Sequence, residues 1–212
     1  MYKYIFLILI TLAQSSLGIS NFSDETISNI KNTYGPKSLK RLASWDNMIT
    51  KAKKAKKAKT VKKLKYVNDY FNNIKYIRDI KHWNQNDYWA TPLEFFGTAG
   101  GDCEDYAIAK YFTLLKVGIP EEKLRIAYVK LLKKKTKYEE AHMVLTYYHK
   151  VNATPIVLDN VNKRLKLASK RKDLKLIYSF NANGLYKAKN KGRSKKVGSN
   201  KLIKWKTLIN KI

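Results

Sequence analysis

The chain has 212 residues, with 44 Lys and Arg against 16 Asp and Glu, which gives a formal net charge of +28. A hydrophobic fraction of 44% that includes 15 Tyr, 7 Phe and 4 Trp can build a buried core, which excludes a fully disordered chain. A single cysteine excludes an intramolecular disulfide and cysteine-rich zinc or redox sites. The charge predicts anionic partners (acidic proteins, nucleic acid or membrane surfaces), unless the lysines form only a solvated surface.

The amino terminus has the pattern of a secretory signal peptide. Lys3 precedes an apolar run over 4–13, and the small residues Ser16 and Gly18 follow it. We therefore expect a signal peptide over 1–18 and export of the remaining chain. The alternative is a retained anchor helix, for which the apolar run is short, and farther along the chain no apolar run is long enough to cross a bilayer.

Residues 19–82 are expected to form a helical region. Trp45 and Met48 are predicted to contact the core from one helix. Before that helix, Gly35-Pro36 predicts a turn and Ser38 predicts the helix cap.

A lysine-rich segment over 51–65 divides this region. It is nearly all Lys and Ala, both good helix formers, which predicts a solvated helix or a charged linker. The alternative is a nucleic-acid-binding arm, but no aromatic side chain interleaves with these lysines before Tyr66, so nucleic acid is not an expected partner. Apolar residues then recur at steps of three and four, which predicts an amphipathic helix through Val67, Tyr70, Phe71, Ile74 and Ile77.

The pattern changes over 83–212. Aromatic residues crowd a predicted loop that carries Pro92 and ends in the small residues 97–101. A helix is predicted over 102–116, and Gly118 is its natural stop. Strand-like runs follow at 124–132, 141–148 and 155–158. A polar turn between the first two predicts a hairpin, and a helix followed by antiparallel strands predicts an α+β fold.

The cysteine, Cys103, lies in the first turn of the predicted helix, directly after Gly100-Gly101-Asp102. A helix N-terminus lowers the pKa of a thiol, because the dipole and the free N–H groups favour the thiolate. Paired glycines let a substrate approach the backbone closely. One interpretation is a nucleophile, and the other is a small buried hydrophobic residue.

A thiol nucleophile needs a general base, and the base needs a residue that orients it. His142 lies in the second predicted strand and Asp159 at the end of the third. Two adjacent antiparallel strands can place both side chains together, opposite the helix N-terminus. The alternative for His142 is a half-buried packing residue, and spacing alone does not decide between the two. His82 and His149 lack such placement and are interpreted as surface or packing residues.

Several strings of residues resemble a known family, the bacterial transglutaminase-like cysteine proteinases, and in particular its LapG-type periplasmic proteases. The resemblance covers most of the chain from Leu64 to Trp205. The strings that carry it are 87–95, 100–111, 124–130, 141–145, 158–160, 179–181 and 184–185. The lysine-rich residues 51–63 and 189–201 depart from the family's pattern without touching a catalytic string.

The resemblance implies a papain-like, transglutaminase-like core, in which the helix that bears the cysteine packs on an antiparallel sheet. It implies that Cys103 is the nucleophile, His142 the base and later the general acid, and Asp159 the residue that orients the imidazole. It also implies a Ca²⁺ ion bound by acidic residues beside the cysteine, which correspond to Asp102 and Glu104, with Asp105 as a weaker candidate.

The charges around the cysteine are a second reason to expect calcium. Asp102, Glu104 and Asp105 surround a thiol that must ionise, and nearby negative charge raises a thiol pKa. Ca²⁺ prefers hard oxygen ligands and would neutralise the three carboxylates. The alternative is that Asp102 caps the helix and the other two complement its dipole, with their side chains in water.

The resemblance further implies a periplasmic location and a large secreted repeat adhesin as substrate, cleaved near its amino-terminal anchoring module to release biofilm cells. It implies an inner-membrane receptor for cyclic di-GMP that sequesters the protease, so membrane association is expected only through that receptor.

The expected chemistry is an acyl-enzyme on Cys103. The backbone N–H of Cys103 is one predicted oxyanion donor, and the loop around Trp89 is expected to supply another. Two alternatives stay open: an acyl transferase of the transglutaminase or amidase type, and a non-catalytic basic binding protein.

Overall fold

The structure of the protein, a computed structural model, describes residues 19–54, 60–133, 136, 138–150, 153–188 and 194–212. The predicted signal peptide and the middle of the lysine-rich segment lie outside these residues. The helices are α1 (Asp24–Tyr34), α2 (Lys37–Lys54), α3 (Thr60–Phe71), α4 (Asp79–His82), α5 (Pro92–Thr98), α6 (Cys103–Lys116) and α7 (Ile203–Ile209). The strands are β1 (Lys75–Tyr76), β2 (Gly100–Gly101), β3 (Leu124–Leu132), β4 (Glu139–Tyr147), β5 (Ile156–Leu158), β6 (Lys166–Leu167), β7 (Leu174–Asn181), β8 (Gly184–Ala188) and β9 (Ser194–Gly198).

The main sheet of the described residues is antiparallel, with strand order β6-β5-β4-β3-β7-β8-β9. β3 and β4 form the predicted hairpin, in which Leu124 pairs with Tyr147 and Val129 pairs with His142. β1 and β2 form a separate, short parallel pair beside α6. Mixed helices and an antiparallel sheet confirm the predicted α+β fold.

The helix that begins at the cysteine packs on β3 and β4, as predicted. Ala107, Ile108, Tyr111 and Leu114 on α6 are buried and belong to the same core cluster as Leu145 of β4. Burying a large apolar side chain stabilises a fold by about 1.5–3 kcal/mol, so this contact anchors the first turn of α6 firmly against the sheet.

The turn predicted at Gly35-Pro36 separates the first two helices. α1 ends at Gly35, whose φ of 75° lies in the left-handed region that glycine adopts at low cost. The prediction that Ser38 caps the next helix is wrong, because α2 begins one residue earlier at Lys37. The Ser38 hydroxyl is buried inside α2 and donates to the carbonyl of Ile30, 3.0 Å away, which ties α2 to α1.

Two predicted elements differ in extent. α3 ends at Phe71, so Ile74 and Ile77 lie beyond the predicted amphipathic helix. Asn72 follows instead, a residue that favours helix ends, and its amide is used for long-range hydrogen bonds.

The predicted aromatic loop around Pro92 also contains a helix, α5. Thr91 and Glu94 form a capping box, since each side chain accepts a hydrogen bond from the other residue's backbone N–H. The ring of Pro92 at the first helical position already holds a helical φ, so the capping box and the proline together stabilise the first turn of this short helix.

One cluster of buried side chains contains residues from both predicted regions of the chain. Trp45 and Phe71 from the helical region lie in it together with Phe95, Tyr111 and Leu145. Among the residues that the structure describes, no helix is long and apolar enough to span a membrane.

Candidate active site

Cys103 is the first residue of α6 and lines a cleft of about 980 Å³ that His142 also lines. The turn that delivers it needs glycine, because a Cβ on Gly100 would lie 2.8 Å from the carbonyl oxygen of Lys75 in the paired strand. The close pairing of β2 with β1 therefore fixes the backbone immediately before the cysteine.

His142 and Asp159 are brought together as predicted. Asp159 directly follows β5, and its Oδ1 lies 2.9 Å from His142 Nε2; both residues are buried. Oδ1 also accepts the backbone N–H of Val161 at 2.9 Å, and Arg171 Nη2 donates to Oδ2 at 2.7 Å. Asp159 is thus held from three directions.

These contacts decide which imidazole nitrogen is basic. Burial alone raises the pKa of Asp159, but the hydrogen bond and charge of His142, the Val161 N–H and the Arg171 charge outweigh it and lower the pKa. Asp159 is therefore an ionised acceptor, and His142 Nε2 carries the proton of their hydrogen bond. In a neutral imidazole this leaves Nδ1 free to accept a proton.

The Cys103 thiol has an acidic neighbour. Its Sγ–H donates to Glu104 Oε2 at 2.9 Å. Burial raises the pKa of the thiol well above its usual value, and the charge and hydrogen bond of Glu104 and the charge of Asp102 add to this effect, while the Met143 N–H opposes it. With these carboxylates uncompensated, the thiol is protonated at neutral pH.

Five carboxylates lie beside Cys103: those of Asp79, Asp87, Asp102, Glu104 and Asp105. Their oxygens form overlapping groups within 4.8 Å: Asp79 with Asp102 and Asp105, and Asp79 with Asp87 and Glu104. Burial, followed by the charges of neighbouring carboxylates, raises the pKa of Asp102 to about 8. Burial also raises the pKa of Asp79 to about 6. Lys204 pairs with Asp87 at the edge of this acidic pocket, but among the described residues no ion pair compensates Asp79, Asp102, Glu104 or Asp105.

Comparisons with known proteins decide the family. A sequence profile of the bacterial transglutaminase-like cysteine proteinases (Peptidase_C93) matches residues 43–178. The chain belongs to this family.

Solved structures of a family member are also similar to the protein. LapG of Legionella pneumophila in its calcium-bound form is 39% identical, with a TM-score of 0.74, over 90% of this chain and 99% of the LapG chain. EGTA-treated LapG gives the same identity and TM-score and covers 97% of the LapG chain. A sequence search of curated proteins gives no significant match. The protein is therefore a cysteine peptidase with a LapG-like fold.

Two buried carboxylate oxygens without partners in the described part of the chain indicate that the acidic pocket fits a calcium ion. Asp79 Oδ1 and Asp102 Oδ1 are both buried, and neither has a hydrogen-bond partner among the described residues. A buried carboxylate oxygen without a partner is costly. Ca²⁺ is bound by six to eight oxygen ligands, many of them carboxylates, so it would satisfy both atoms.

Asp105 has a different environment from the other predicted ligands. It is fully buried, and its two oxygens accept the backbone N–H groups of Ala90 at 2.8 Å and Asp102 at 3.1 Å. These bonds join the start of α6 to the segment before α5. Asp105 thereby supports the backbone that carries Asp102 and Cys103.

The two predicted oxyanion donors, the Cys103 backbone N–H and the loop around Trp89, lie in different environments. Cys103 lies at the N-terminus of α6, where the first backbone N–H groups have no partner within the helix. Trp89 lines the cleft, but its indole N–H donates to Asp87 Oδ1 at 3.1 Å. A second donor near Trp89 stays a prediction.

Four residues of the site were not singled out from the sequence. They are Asp79 and Asp87 in the acidic pocket, Arg171 on Asp159, and Asn72, whose amide donates to the Asp159 carbonyl at 2.8 Å. Each is 12 or more positions along the chain from the site residue that it contacts, and only the fold brings the two together. The other two histidines stay outside the site: His82 stacks on Trp83, and His149 is exposed.

Proposed function

We propose that this cysteine peptidase is an exported, periplasmic endopeptidase that uses Cys103, His142 and Asp159 to cleave a large cell-surface adhesin near its amino terminus. The observation that carries the proposal is the hydrogen bond between His142 Nε2 and ionised Asp159, which makes Nδ1 the basic nitrogen, on a residue that lines the same cleft as Cys103.

The geometry supports an acyl-enzyme mechanism. His142 Nδ1 takes the proton of the Cys103 thiol, and the thiolate attacks the carbonyl carbon of the scissile peptide bond. The N–H of Cys103 at the helix N-terminus stabilises the resulting oxyanion. The protonated imidazole then gives its proton to the leaving amine, and a thioester on Cys103 remains.

The second half of the reaction repeats these roles with water. His142 Nδ1 removes a proton from the water, whose oxygen attacks the thioester carbonyl. The bond to Sγ breaks, the carboxylic product leaves, and the sulfur regains its proton from the imidazolium. Asp159 stabilises the imidazolium in both halves without itself taking the proton.

Calcium is part of the proposal. Asp79, Asp102 and Glu104 would hold the ion, whose charge would compensate the carboxylates that have no ion pair among the described residues. Glu104 would then be a calcium ligand, and the Cys103 thiol would lose the carboxylate to which it donates. The solved calcium-bound and EGTA-treated forms of LapG support this assignment.

The biological setting of the proposal rests on the likeness to LapG. Regulation would come from an inner-membrane receptor that binds cyclic di-GMP and sequesters the protease when that signal is high. Export would follow from the signal-peptide pattern over 1–18. Release of adhesin from the cell surface would then end attachment of biofilm cells.

The decisive experiment uses the mature protein and an amino-terminal adhesin fragment. We expect Cys103→Ala to abolish cleavage while its thermal unfolding temperature stays that of the wild type, because the thiol contributes little packing. His142→Ala should also abolish cleavage. Incorporation of a fluorescent primary amine in place of fragment release would show an acyl transferase. Fragment release that persists with Cys103→Ala would overturn the proposal.

A further inference from the structure

Arg171 is a charged side chain in a place where charges are seldom found. It is 1% exposed, and it lies between the 3-10 turn Ala168–Lys170 and β7. Removing a guanidinium from water is costly unless it is paired and hydrogen-bonded. The contacts of Arg171 therefore show what the side chain is for.

Arg171 joins two carboxylates of different environment. Its Nη2 donates to Asp159 Oδ2 at 2.7 Å and to Asp173 Oδ2 at 2.8 Å. Its Nε donates to Asp173 Oδ1 at 2.9 Å. The Asp173 side chain is about a third exposed, at 34%, whereas Asp159 is buried. The two-fold contact with Asp173 fixes the guanidinium, and the fixed guanidinium holds Asp159.

Arg171 is also the side chain beside Asp159 that stays positively charged at neutral pH. A second basic group whose charge interacts with Asp159 is Lys110 of α6. Its Nζ donates to the amide oxygens of Asn68 and Asn72, and burial lowers its pKa to about 7. Lys110 is therefore only partly charged at neutral pH, while an arginine stays charged.

Among the described residues, Arg171 Nη2 is the hydrogen-bond donor to Asp159 Oδ2, whereas His142 and Val161 bond Oδ1. Arg171 lines a cavity of about 430 Å³ on the face of the sheet opposite α6, whose walls combine apolar residues such as Val129 and Val144 with the hydroxyl-bearing Thr146 and Ser169. Without the guanidinium, Oδ2 would lose its hydrogen bond and its charged partner, and the carboxylate would be free to rotate away from the imidazole.

We infer that Arg171 is a positioning residue of this protease, which fixes the carboxylate of Asp159 through Oδ2 so that Oδ1 orients the His142 imidazole. The inference rests on the proposed function, since it assigns Arg171 a role only through Asp159 and His142.

A double-mutant cycle tests this role. The variants are Arg171→Met, Asp159→Asn and the two combined, each assayed for kcat and KM on the adhesin fragment. We expect Arg171→Met to lower kcat on the order of 10²-fold with KM nearly unchanged, since misplacing a catalytic group costs about this much. In the Asp159→Asn background the same substitution should lower kcat by no more than about threefold, because the residue through which it acts is already gone.

One neighbouring substitution serves as a matched control. Lys172→Met removes one positive charge next to Arg171 from an exposed side chain. It should keep kcat within about threefold of the wild type. Thermal unfolding of every variant separates a loss of folding from a loss of positioning.

Arg171→Lys covers the case in which Arg171→Met does not fold. It keeps the charge and offers one donor to Oδ2, so kcat should lie between those of the wild type and the Asp159→Asn variant, and the cycle can be completed with it. A folded Arg171 variant with wild-type kcat, or equal losses in both backgrounds, would overturn the inference while Asp159→Asn stays impaired. Wild-type kcat for Asp159→Asn would instead overturn the proposed triad itself.

Discussion

At the scale of single residues, Asp79 links the fold to the calcium proposal. It begins the short helix α4, its Oδ2 accepts the Tyr88 N–H, and its Oδ1 is buried without a partner among the described residues. Asp79 belongs to both groups of carboxylates in the acidic pocket. Nothing in its local sequence marks it as a metal ligand, so only the folded structure indicates this role.

The calcium proposal predicts that a chelator stops cleavage and that added Ca²⁺ restores it. Asp102→Ala and Glu104→Ala should mimic chelation, because each removes a carboxylate ligand and leaves fewer oxygens than Ca²⁺ requires. Asp79→Asn should weaken calcium binding as well, measured by calorimetry on the purified protein. Asp24→Asn, an exposed acidic residue at the start of α1, is the control and should bind like the wild type. Cleavage that is unchanged in excess chelator, together with no heat of calcium binding, would refute the calcium site.

The residues near Cys103 show what sequence can and cannot predict about a site. Cys103 has a local signal, a lone thiol at a glycine-rich helix start, and His142 and Asp159 follow from the strand pattern and the family resemblance. Arg171 and Asp79 have no such signal. Their roles depend on contacts that exist only after the strands pair and α4 packs, and a buried arginine or aspartate resembles any surface charge in the sequence.

At the scale of elements, the turn between α5 and α6 is the most constrained part of the site. A Cβ on Gly101 would lie 2.7 Å from the Cβ of Asp105 and 2.8 Å from the Phe95 ring. Asp105 cannot move aside without losing its hydrogen bonds to Ala90 and Asp102. The same turn contains Ala99 in the left-handed conformation, with φ of 67°.

We expect Gly101→Ala to lower the free energy of unfolding by about 1–3 kcal/mol, as overpacking of a filled interior does. Cleavage should also fall, because the first turn of α6 carries Cys103. Ala99→Gly is the matched control: it relieves left-handed strain two residues away and should keep or slightly raise stability. Chemical denaturation of both variants checks this. Equal stability of Gly101→Ala and the wild type would show that the turn can expand.

The bond from Arg171 to Asp159 and Asp173 connects the end of β5 with the start of β7, and it predicts acid sensitivity. The hydrogen bond from Arg171 lowers the pKa of Asp173, and the pKa of Asp159 is also lowered although burial opposes this. A carboxylate with a lowered pKa stabilises the folded state above its unfolded pKa of about 4 and loses that contribution as the pH falls further.

The free energy of unfolding of the wild type should therefore decrease as the pH falls below about 4. The combined Asp159→Asn, Arg171→Met variant should lose less stability over the same range, because Asp159 no longer titrates and Asp173 has lost the arginine that lowers its pKa. Lys172→Met should follow the wild type. Denaturation at a series of pH values measures the three slopes, and parallel slopes for all three proteins would contradict the prediction.

The elements themselves were predicted unevenly. α6 and the β3–β4 hairpin follow from clear periodicity, and both are confirmed. The predicted helix through Ile77 was too long, because apolar spacing continues past Phe71 although Asn72 leaves the helix to bond the Asp159 carbonyl. Tertiary hydrogen bonds thus ended an element that local periodicity would have extended.

At the scale of the whole molecule, the dominant property is positive charge. Exposed lysines at the end of α2, among them Lys51, Lys53 and Lys54, continue into Lys62 and Lys65 of α3. The acidic pocket beside Cys103 is a local exception to this excess of positive charge. The net charge of +28 therefore acts on a partner at a distance, while the pocket acts on an ion at contact.

This charge predicts that substrate binding depends on salt concentration. Secreted calcium-binding adhesins are commonly acidic, so attraction to the basic surface should strengthen binding at low salt and weaken as salt screens it. The screening length falls from about 10 Å at 0.1 M salt to about 3 Å at 1 M, which removes attraction between surface charges. We expect the Kd for an acidic adhesin fragment to rise by about tenfold or more over this range, mainly through slower association.

Cleavage of a short neutral peptide, which is bound by the cleft alone, is the control and should change little. Replacement of Lys51, Lys53 and Lys54 by Gln should reduce the salt dependence, and stopped-flow association rates measure it. A Kd for the acidic fragment that stays flat from low to high salt would show that the lysines only solvate the surface.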